Sequence, residues 1–480
     1  MSQASLPFVP AEYAYEFMDS GVMRGGATAR PTDHCWAIPK EYYINDDRIA
    51  DSFGHRLSPL SSDLLDLALA SYVADRLSPR AGLCKSRRVR NWKRVIHLTV
   101  PVRRLEIWKR LDVVESLANL LQFFTDDVWR LNFVRRRAPG RPSETQNYLF
   151  PNPLPKPLGV ALFSGGLDSF CGAVQEMSEF PRHSFAFVSG VTNSRQRFAQ
   201  REQIKAISRK VGRQVCHVTV PFGLKWRGES SRGSGEEVSQ RTRGFLFLTL
   251  GAVTAIAAGE SELSIFENGI GAINLPYDAS QVGAFNSRAV HPLALLRMGE
   301  FLTMLRGKAF VFQSPFLFQT KGEMCCHPAV KSLSAYIPRT FSCDGFPVHA
   351  RKKPQCGSCT SCLLRRLSLQ SAGLSKFDPS HEYVADLSTS KSKVSERQLR
   401  HLRVMEWQYH KIKQLLLSEA PWQDLISEFP ELQSISAEIS GGGRSSEDEI
   451  QRSLLKLYSQ YVAEWDNFSA RERLLFNRAA

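Results

Sequence analysis

The segment that most constrains the fold of this chain is a short apolar run that ends in two glycines. Residues 158–163 read Leu-Gly-Val-Ala-Leu-Phe, and residues 164–166 follow as Ser-Gly-Gly. The apolar run favours a buried strand, and a helix is expected to begin near Asp168. A strand that turns over glycines into a helix presents free amide groups to an anion. The segment therefore predicts a phosphate site at the carboxyl end of a strand.

The predicted nucleotide-binding residues are Phe163, Ser164, Gly165, Gly166, Leu167, Asp168 and Ser169. The hydroxyls of Ser164 and Ser169 can donate to phosphate, whereas the Asp168 carboxylate suits that place only if Mg²⁺ lies between them. The alternative is a structural turn in which Asp168 caps the helix. The chain lacks the Gly-x-x-x-x-Gly-Lys-Ser/Thr loop that usually accompanies γ-phosphate transfer. A loop that grips pyrophosphate is the favoured interpretation.

Strands and helices alternate along residues 151–375. The predicted strands cover 159–163, 184–188, 214–220, 263–267 and 309–313, and the predicted helices cover 168–180, 195–211, 240–258 and 292–306. This alternation is typical of an α/β, doubly wound parallel sheet that is covered on both faces by helices. Ligands of such folds bind beyond the carboxyl ends of the strands.

The residues before this central region predict an α+β accessory region, 1–150. Helical patterns at 61–75 and 113–130 accompany an alternating strand pattern at 94–100. Dense basic runs, such as 85–90, lie near Trp92 and Trp108 and can be read as a nucleic-acid surface. A solvated face or a docking surface for an acidic protein explains them equally well.

The residues after the central region, 376–480, predict a helical region. Helix-period apolar residues occur at 396–417 and again at 447–468, with a Gly-Gly-Gly break between them. The chain is thus expected to contain three domains, with boundaries at 1–150, 151–375 and 376–480.

Four cysteines are spaced as metal ligands. Cys343 is followed after twelve residues by Cys356, Cys359 and Cys362. Two-residue gaps let thiolates converge on one ion, and Zn²⁺ prefers four such ligands in a tetrahedron. The pattern favours structural zinc over an iron–sulfur site or unrelated reduced thiols. Four protein ligands leave no open position for catalysis.

Composition narrows the class of protein further. The chain has 480 residues, a net charge of +15 and a pI near 9.4, which suits an anionic substrate, nucleic acid or an acidic protein partner. Its longest apolar stretch, 244–259, is shorter than the ~20 residues of a membrane span. The beginning of the chain has no secretory pattern, so we expect a cytoplasmic protein with no membrane role and with reduced cysteines.

The loop and the cysteines carry a resemblance to a known family. Residues 164–169, Ser-Gly-Gly-Leu-Asp-Ser, resemble the SGGxDS loop of the PP-loop ATP pyrophosphatases, which have an adenine nucleotide alpha hydrolase-like fold. Residues 340–366 resemble the zinc end of 7-cyano-7-deazaguanine synthases, the QueC family. Together the likeness covers about 220 residues. It implies adenylation of a carboxylate with release of pyrophosphate, with ATP, Mg²⁺ and structural Zn²⁺ as cofactors.

Two departures from the QueC pattern indicate a more distant branch of that family. QueC proteins have no counterpart of 1–150 or 376–480, and their Tyr-Pro-Asp-Cys-Arg stretch is absent here. The extended architecture and the Glu-Asn-Gly at 267–269 are most similar to the QueC-like QatC proteins of the Qat anti-phage defence system. This likeness implies protein partners from a defence operon.

Several further residues are candidates for the site. Glu267, Asn268 and Gly269 follow a predicted strand, and His291 precedes a predicted helix, so all four are candidate substrate contacts. A turn explains Asn268-Gly269 equally well. Arg243 and Lys321 are candidate catalytic residues together with Ser164, Asp168 and Ser169, because cations there would contact phosphates or stabilise the charge of the transition state.

These features predict an enzyme that adenylates a 7-deazaguanine-type carboxylate, such as 7-carboxy-7-deazaguanine, and then joins it to a nitrogen nucleophile. An amine on a partner protein is the nucleophile that the resemblance suggests. One alternative is a PP-loop enzyme that thiolates tRNA, for which Cys171 is the nearest cysteine in sequence. Another is a retired nucleotide-binding scaffold of a defence complex.

Overall fold

The strands of the chain form one continuous sheet. The computed structural model describes residues 11–19, 22–27, 40–80, 93–149, 154–225, 237, 239–276, 288–345, 353–385, 396–443 and 445–476. In chain order the strands are β1 (Ala11–Phe17), β2 (Val22–Ala27), β3 (Lys40–Ile44), β4 (Arg94–Val102), β5 (Val128–Arg135), β6 (Leu158–Leu162), β7 (Ser184–Val191), β8 (Cys216–Lys225), β9 (Glu262–Ser264) and β10 (Val311–Gln313). Across the sheet their order is β10-β9-β6-β7-β8-β3-β2-β1-β4-β5.

Helices connect and cover these strands. They are α1 (Asp47–Phe53), α2 (Pro59–Leu77), α3 (Leu105–Trp108), α4 (Leu111–Thr125), α5 (Pro142–Thr145), α6 (Leu167–Glu179), α7 (Ser194–Val211), α8 (Arg243–Ala257), α9 (Gly269–Ile273), α10 (Pro292–Arg306), α11 (Lys321–Cys326), α12 (Pro328–Ser332), α13 (Thr360–Ser371), α14 (Glu396–Leu416), α15 (Pro421–Glu428), α16 (Glu431–Ser440) and α17 (Glu447–Phe476). None of the helices in the described ranges is both long and apolar enough to cross a membrane.

The half of the sheet from β10 to β8 is parallel throughout. Strands covered on both faces are apolar, and in β7 every residue from Phe185 to Val191 is buried. Strands of one direction place their carboxyl ends along one edge, where the loop after β6 lies. The chain is therefore an α/β protein whose sheet is mixed but mostly parallel, which confirms the predicted class at that level.

The strands of the first 150 residues extend this same sheet rather than forming one of their own. The first part of β8 pairs with β7 up to Pro221, and its remainder, from Phe222, pairs antiparallel with β3. Proline has no amide hydrogen to donate to a ladder, and the partner of β8 changes at that residue. One hydrophobic core then runs beneath both halves, from Tyr13 to Phe310.

A buried polar cluster fixes the start of α8, where the predicted site residue Arg243 lies. The Arg94 guanidinium is 2.6 Å from Asp75 Oδ1 and 2.5 Å from Asp127 Oδ2, and all three side chains are fully buried. The other Asp75 oxygen accepts from the Thr242 amide at 3.0 Å. Carboxylates that receive several charge-assisted hydrogen bonds hold their partners in one geometry. This cluster therefore ties the first region to the central one.

The helices at the end of the chain close the fold on one side. Helices α14 to α17 share a hydrophobic cluster with α9 and α13, and its members include Ile273, Leu367 and Leu457. The predicted helical region is therefore packed against the segment that follows Glu267. One helix prediction was too long, because Asp126 adopts φ 62° and ends α4 before β5 begins. The basic run 85–90, together with Trp92, lies outside the described residues.

Candidate active site

The loop between β6 and α6 has the geometry that a phosphate site needs. Gly165 adopts φ +82°, a backbone conformation that residues with a side chain rarely adopt, and Gly166 is the N-cap of α6. The Ser164 hydroxyl accepts from the Gly166 amide at 3.1 Å and lies 3.0 Å from the Ser169 hydroxyl. The first amides of a helix have no acceptors within it, so this turn offers donors to an anion.

The carbonyl oxygens of the loop are held from inside the protein. Gln200 Nε2 donates to the Ser164 carbonyl at 2.9 Å, and Gln203 Nε2 donates to the Gly165 carbonyl at 3.0 Å. The Ser189 hydroxyl donates to the Phe163 carbonyl at 2.7 Å. Gln200, Gln203 and Ser189 are fully buried. Because its acceptors are engaged with buried donors, the loop has a fixed shape.

A cavity of about 220 Å³ opens beside this loop. Its lining comes from the loop, from the ends of β6, β7 and β9, from the starts of α7 and α8 and from the segment before α10. The lining residues are Leu162, Phe163, Ser164, Ser169, Val188, Gly190, Gln196, Arg243, Phe247, Ile265, Phe266, Glu267 and Val290. The walls are mostly apolar, with a few polar groups at one side. Such a cleft at the carboxyl ends of parallel strands is where this class of fold binds ligands.

Arg243 brings positive charge to the cavity wall. It is the first residue of α8, and its guanidinium lies 5.3 Å from the centre of the Phe247 ring. Its Nε is buried and has no hydrogen-bond partner among the described residues. A buried, unpartnered donor of a cation is costly unless a ligand satisfies it, so Arg243 fits an anionic group in this cavity. The neighbouring Arg241 instead forms a 2.6 Å ion pair with Asp126.

A chain of charged and polar groups continues from the loop into the interior. Lys321 Nζ lies 2.8 Å from Asp168 Oδ2, and Asn268 Nδ2 donates to Asp168 Oδ1 at 3.0 Å. The same Asn268 nitrogen donates to Glu267 Oε1 at 2.8 Å. Asn268 therefore bridges two carboxylates, one on the helix that follows the loop and one on the cavity wall.

The charged groups of this network shift one another's pKa values. Burial raises the pKa of the Glu267 carboxyl to about 8, the Asp168 carboxylate adds to the rise, and Lys321 opposes it. Burial would lower the pKa of the Lys321 ammonium, but the carboxylates of Asp168 and Glu267 outweigh burial and hold that pKa above its usual value. Two carboxyls and one ammonium share the space, so Asp168 and Lys321 balance each other while the raised pKa keeps Glu267 mostly protonated at neutral pH.

Local sequence explains why these side chains meet. Asn268 is the N-cap of α9, and its Oδ1 accepts from the Gly271 amide at 3.0 Å. Thr320 is the N-cap of α11 and forms a capping box with Glu323. Lys321 is thereby the first residue of a helix. A Cβ on Gly271 would lie 2.5 Å from Glu267 Oε1, so only glycine leaves room for that carboxylate.

The predicted residues do not all face the cavity. Phe163, Ser164, Ser169, Arg243 and Glu267 line it, whereas Asp168, Asn268 and Lys321 lie behind its wall and are joined to Glu267 by hydrogen bonds and an ion pair. The remaining candidates have places of their own.

Gly269 packs against backbone, since a Cβ there would lie 2.0 Å from the Leu317 carbonyl oxygen. His291 is 1% exposed, caps α10 through its Nδ1, and turns its Nε2 toward Glu431 at 3.2 Å. Neither residue lines the cavity, although Val290, next to His291, does.

Sequence reasoning missed Gln200 and Gln203, which hold the loop, and Glu464 of α17, a 1% exposed carboxylate against Thr320. The glutamines had a weak signal, because two amides three residues apart share a helix face that is otherwise apolar. Glu464 had none, because its partner is 144 residues away in the chain.

The four predicted metal ligands converge. One ligand atom from each of Cys343, Cys356, Cys359 and Cys362 lies within 4.8 Å of the others. The Cys356 amide donates to Cys343 Sγ at 3.4 Å, and the Cys359 amide donates to Cys356 Sγ at 3.3 Å. Amide donors to sulfur stabilise thiolates. The donor set and its closeness fit a metal ion such as zinc, as the spacing predicted.

Two cysteines outside this cluster also meet. Cys171 of α6 and Cys325 of α11 are fully buried, and their sulfurs are 3.8 Å apart. The hydrogen bond to Cys325, together with burial, raises the pKa of the Cys171 thiol well above its usual value, so that thiol stays protonated. Cys171 does not line the cavity.

Comparison with models of known protein families finds no matching family, and comparison with curated proteins finds no similar sequence.

Proposed function

We propose that this protein is an ATP pyrophosphatase that adenylates a carboxylate and then forms a C–N bond. The observation that carries the proposal is the cavity itself. It brings the two hydroxyls of a glycine loop, an arginine nitrogen that has no partner among the described residues, and a carboxylate with a raised pKa to the carboxyl ends of parallel strands. An anionic nucleotide that binds through phosphates, with a divalent cation beside it, is the ligand that such a set recognises best.

In this scheme the loop, with Ser164, Gly165, Gly166 and Ser169, binds the pyrophosphate portion of ATP. Arg243 contacts the phosphates and stabilises the charge that develops on them. Glu267, on the cavity wall, would supply a carboxylate oxygen for Mg²⁺. Asp168, which Lys321 holds at 2.8 Å behind that wall, positions Glu267 through Asn268. A bound Mg²⁺ would neutralise phosphate charge during the displacement.

The proposed reaction has two displacements. A carboxylate oxygen of the substrate attacks the α-phosphorus of ATP, and the bond to the β-phosphate oxygen breaks with loss of pyrophosphate. An amine then attacks the acyl carbon, AMP leaves and the amine loses a proton. The product is an amide. The narrower resemblance supports a 7-deazaguanine-type acid as the substrate and an amine of a partner protein as the nucleophile, in anti-phage defence.

The cysteine cluster supports the same family resemblance and is assigned a structural role. With four sulfur donors, a zinc ion would have a complete tetrahedron and no position for substrate. The cluster also lies outside the cavity, whose lining contains no cysteine among the described residues.

The first test is which bond of ATP breaks. ATP labelled on the α-phosphate is incubated with Mg²⁺, 7-carboxy-7-deazaguanine and an amine donor, and the products are separated. Labelled AMP and unlabelled pyrophosphate are expected. Asp168→Asn should remove this activity, whereas the matched control Asp448→Asn, at an exposed position of α17, should retain it. Labelled ADP would contradict the proposal.

The second test concerns the nucleophile. The protein is co-expressed with each neighbouring protein of its own operon, and the intact mass of that protein is measured. A mass increase equal to the acid minus water is expected with the wild-type enzyme and not with Asp168→Asn. If defence against phage persists with Asp168→Asn, the scaffold alternative replaces catalysis.

A further inference from the structure

A short segment of backbone, residues 337–343, lies between the phosphate loop and the cysteine cluster. On the loop side, the Phe341 amide donates to the Gly165 carbonyl at 3.1 Å. Gln203 Nε2 donates to that same carbonyl at 3.0 Å and to the Arg339 carbonyl at 2.8 Å. Gln203 is therefore a bridge between the loop and this segment. A Cβ on Gly166 would lie 3.1 Å from the Phe341 carbonyl oxygen, so the two backbones are also in close contact.

The same segment is held from the other side by neighbours of the metal ligands. Gln355, which immediately precedes Cys356, donates through Nε2 to the Thr340 carbonyl at 3.1 Å. Arg365, three residues after Cys362, donates to Thr340 Oγ1 at 2.6 Å and to the Ile337 carbonyl at 2.9 Å. The segment itself ends at the ligand Cys343.

These contacts are buried, which makes the segment a rigid connection. Thr340 and Gln203 are fully buried, Gln355 is 2% exposed, and Arg365 is 1% exposed with its Nε 3.0 Å from Asp378. Breaking a buried hydrogen bond leaves a group without water to replace its partner. A shift of the cysteine cluster would therefore move Phe341 and, through it, the Gly165 carbonyl.

We propose that the four-cysteine site holds the phosphate loop in its binding shape, so that metal loading and nucleotide binding are energetically coupled. Gln203, Gln355 and Arg365 are the positioning residues of this coupling, and none of them lines the cavity. The inference rests on the proposed function only for the identity of the nucleotide. Coupling between two binding sites is reciprocal, so the nucleotide must also retain the metal.

The test measures both directions of the coupling with Mg²⁺ and an ATP analogue that has a methylene group between its α and β phosphates. Zinc release to a chromogenic chelator is followed with and without the analogue, and analogue affinity is measured by calorimetry before and after chelation. Couplings between sites commonly amount to about 5–150-fold, and we expect the analogue to slow zinc release at least about fivefold and chelation to weaken analogue affinity by a similar factor.

Variants separate this effect from simple unfolding. Gln355→Leu and Gln203→Leu should keep full zinc content and the wild-type circular dichroism spectrum, yet bind the analogue about fivefold or more weakly, the low end of common couplings. The control is Gln370→Leu, the same change at a half-buried position further along α13, which should bind like the wild type.

The possible failures are distinguishable. If the wild-type protein does not bind the analogue, the proposed function is wrong. If it binds the analogue, but zinc release and affinity do not respond to each other and both folded, zinc-loaded variants bind normally, then the coupling is wrong and the proposed function stands. If chelation unfolds the protein, analogue binding by the two folded, zinc-loaded variants decides whether the coupling exists.

Discussion

Lys321 offers the sharpest test of the charge arrangement behind the cavity. Its Nζ lies 2.8 Å from Asp168 Oδ2, and the two side chains are only 6% and 11% exposed. Lys321→Met keeps the length of the side chain but removes the cation, so the carboxyls of Asp168 and Glu267 face each other without a counter-charge. Removing one partner of a buried ion pair costs about 3–5 kcal/mol of the free energy of unfolding.

That cost can be converted into a shift of the thermal midpoint. At about 2.1 cal/mol/K per residue, 480 residues give an unfolding entropy of about 1 kcal/mol/K, so the midpoint should fall by about 3–5 K. Thermal melts at pH 7.5, followed by circular dichroism, would measure it. The deficit should grow above pH 8, because the Glu267 carboxyl, whose pKa burial raises to about 8, then ionises beside Asp168 with no ammonium to oppose the rise in its pKa.

A matched set of variants makes the result interpretable. Lys308→Met, at an exposed position after α10, should melt like the wild type. Combining Lys321→Met with Asp168→Asn should recover part of the loss, because the double variant leaves no uncompensated charge at that pair. The reasoning is refuted if Lys321→Met melts with the wild type, or if the losses of the two single variants simply add in the double variant.

Further predictions concern other parts of the same structure. Burial raises the pKa of Glu464 from 4.5 to about 7, so between these pH values the native state keeps a proton that the unfolded state releases, and wild-type stability falls as the pH rises through that window. In urea melts above pH 7, Glu464→Gln should therefore be about 2–3 kcal/mol more stable than the wild type and should not show this fall. Gly269→Ala should cost about 1–3 kcal/mol in the same assay because a Cβ meets a backbone oxygen at 2.0 Å, whereas Gly441→Ala, with nothing nearer than 3.4 Å, should cost little. Arg243→Ala should melt like the wild type but form labelled AMP about 10²–10³-fold more slowly. Cys359→Ser should lower bound zinc, measured by plasma mass spectrometry, below that of the wild type, because three thiolates hold the ion less tightly than four.

Much of the half of the sheet from β10 to β8 was predictable, because the sequence pattern of a buried strand is local. A strand buried on both faces is a run of apolar residues, and the strand predicted at 159–163 is β6, Leu158–Leu162. The metal site was also predictable, since ligands separated by only two intervening residues must lie close together in space. The first strands were not predicted. In β1, Glu12 and Glu16 flank the two tyrosines, and the run is weakly apolar.

What the sequence could not supply was the set of contacts between distant parts of the chain. Asn268 was a candidate substrate residue, but its amide donates to Asp168, 100 residues earlier. His291 carried no sign that Glu431 would face it. Residue type and spacing indicate which chemistry a side chain can perform, whereas its partner depends on how helices and strands pack, and packing is not a local property.

The division of β8 between two partners has a consequence for the history of the chain. Deleting the first 150 residues would strip β3 from the strand and leave the backbone of Phe222 to Lys225 as an open edge that invites aggregation. We therefore expect the half of the sheet that carries the candidate site to need its N-terminal neighbour for solubility as well as for stability. We expect the two halves to be inherited together, and a shuffled gene that kept only the half from β6 onward would need a new way to cover that edge.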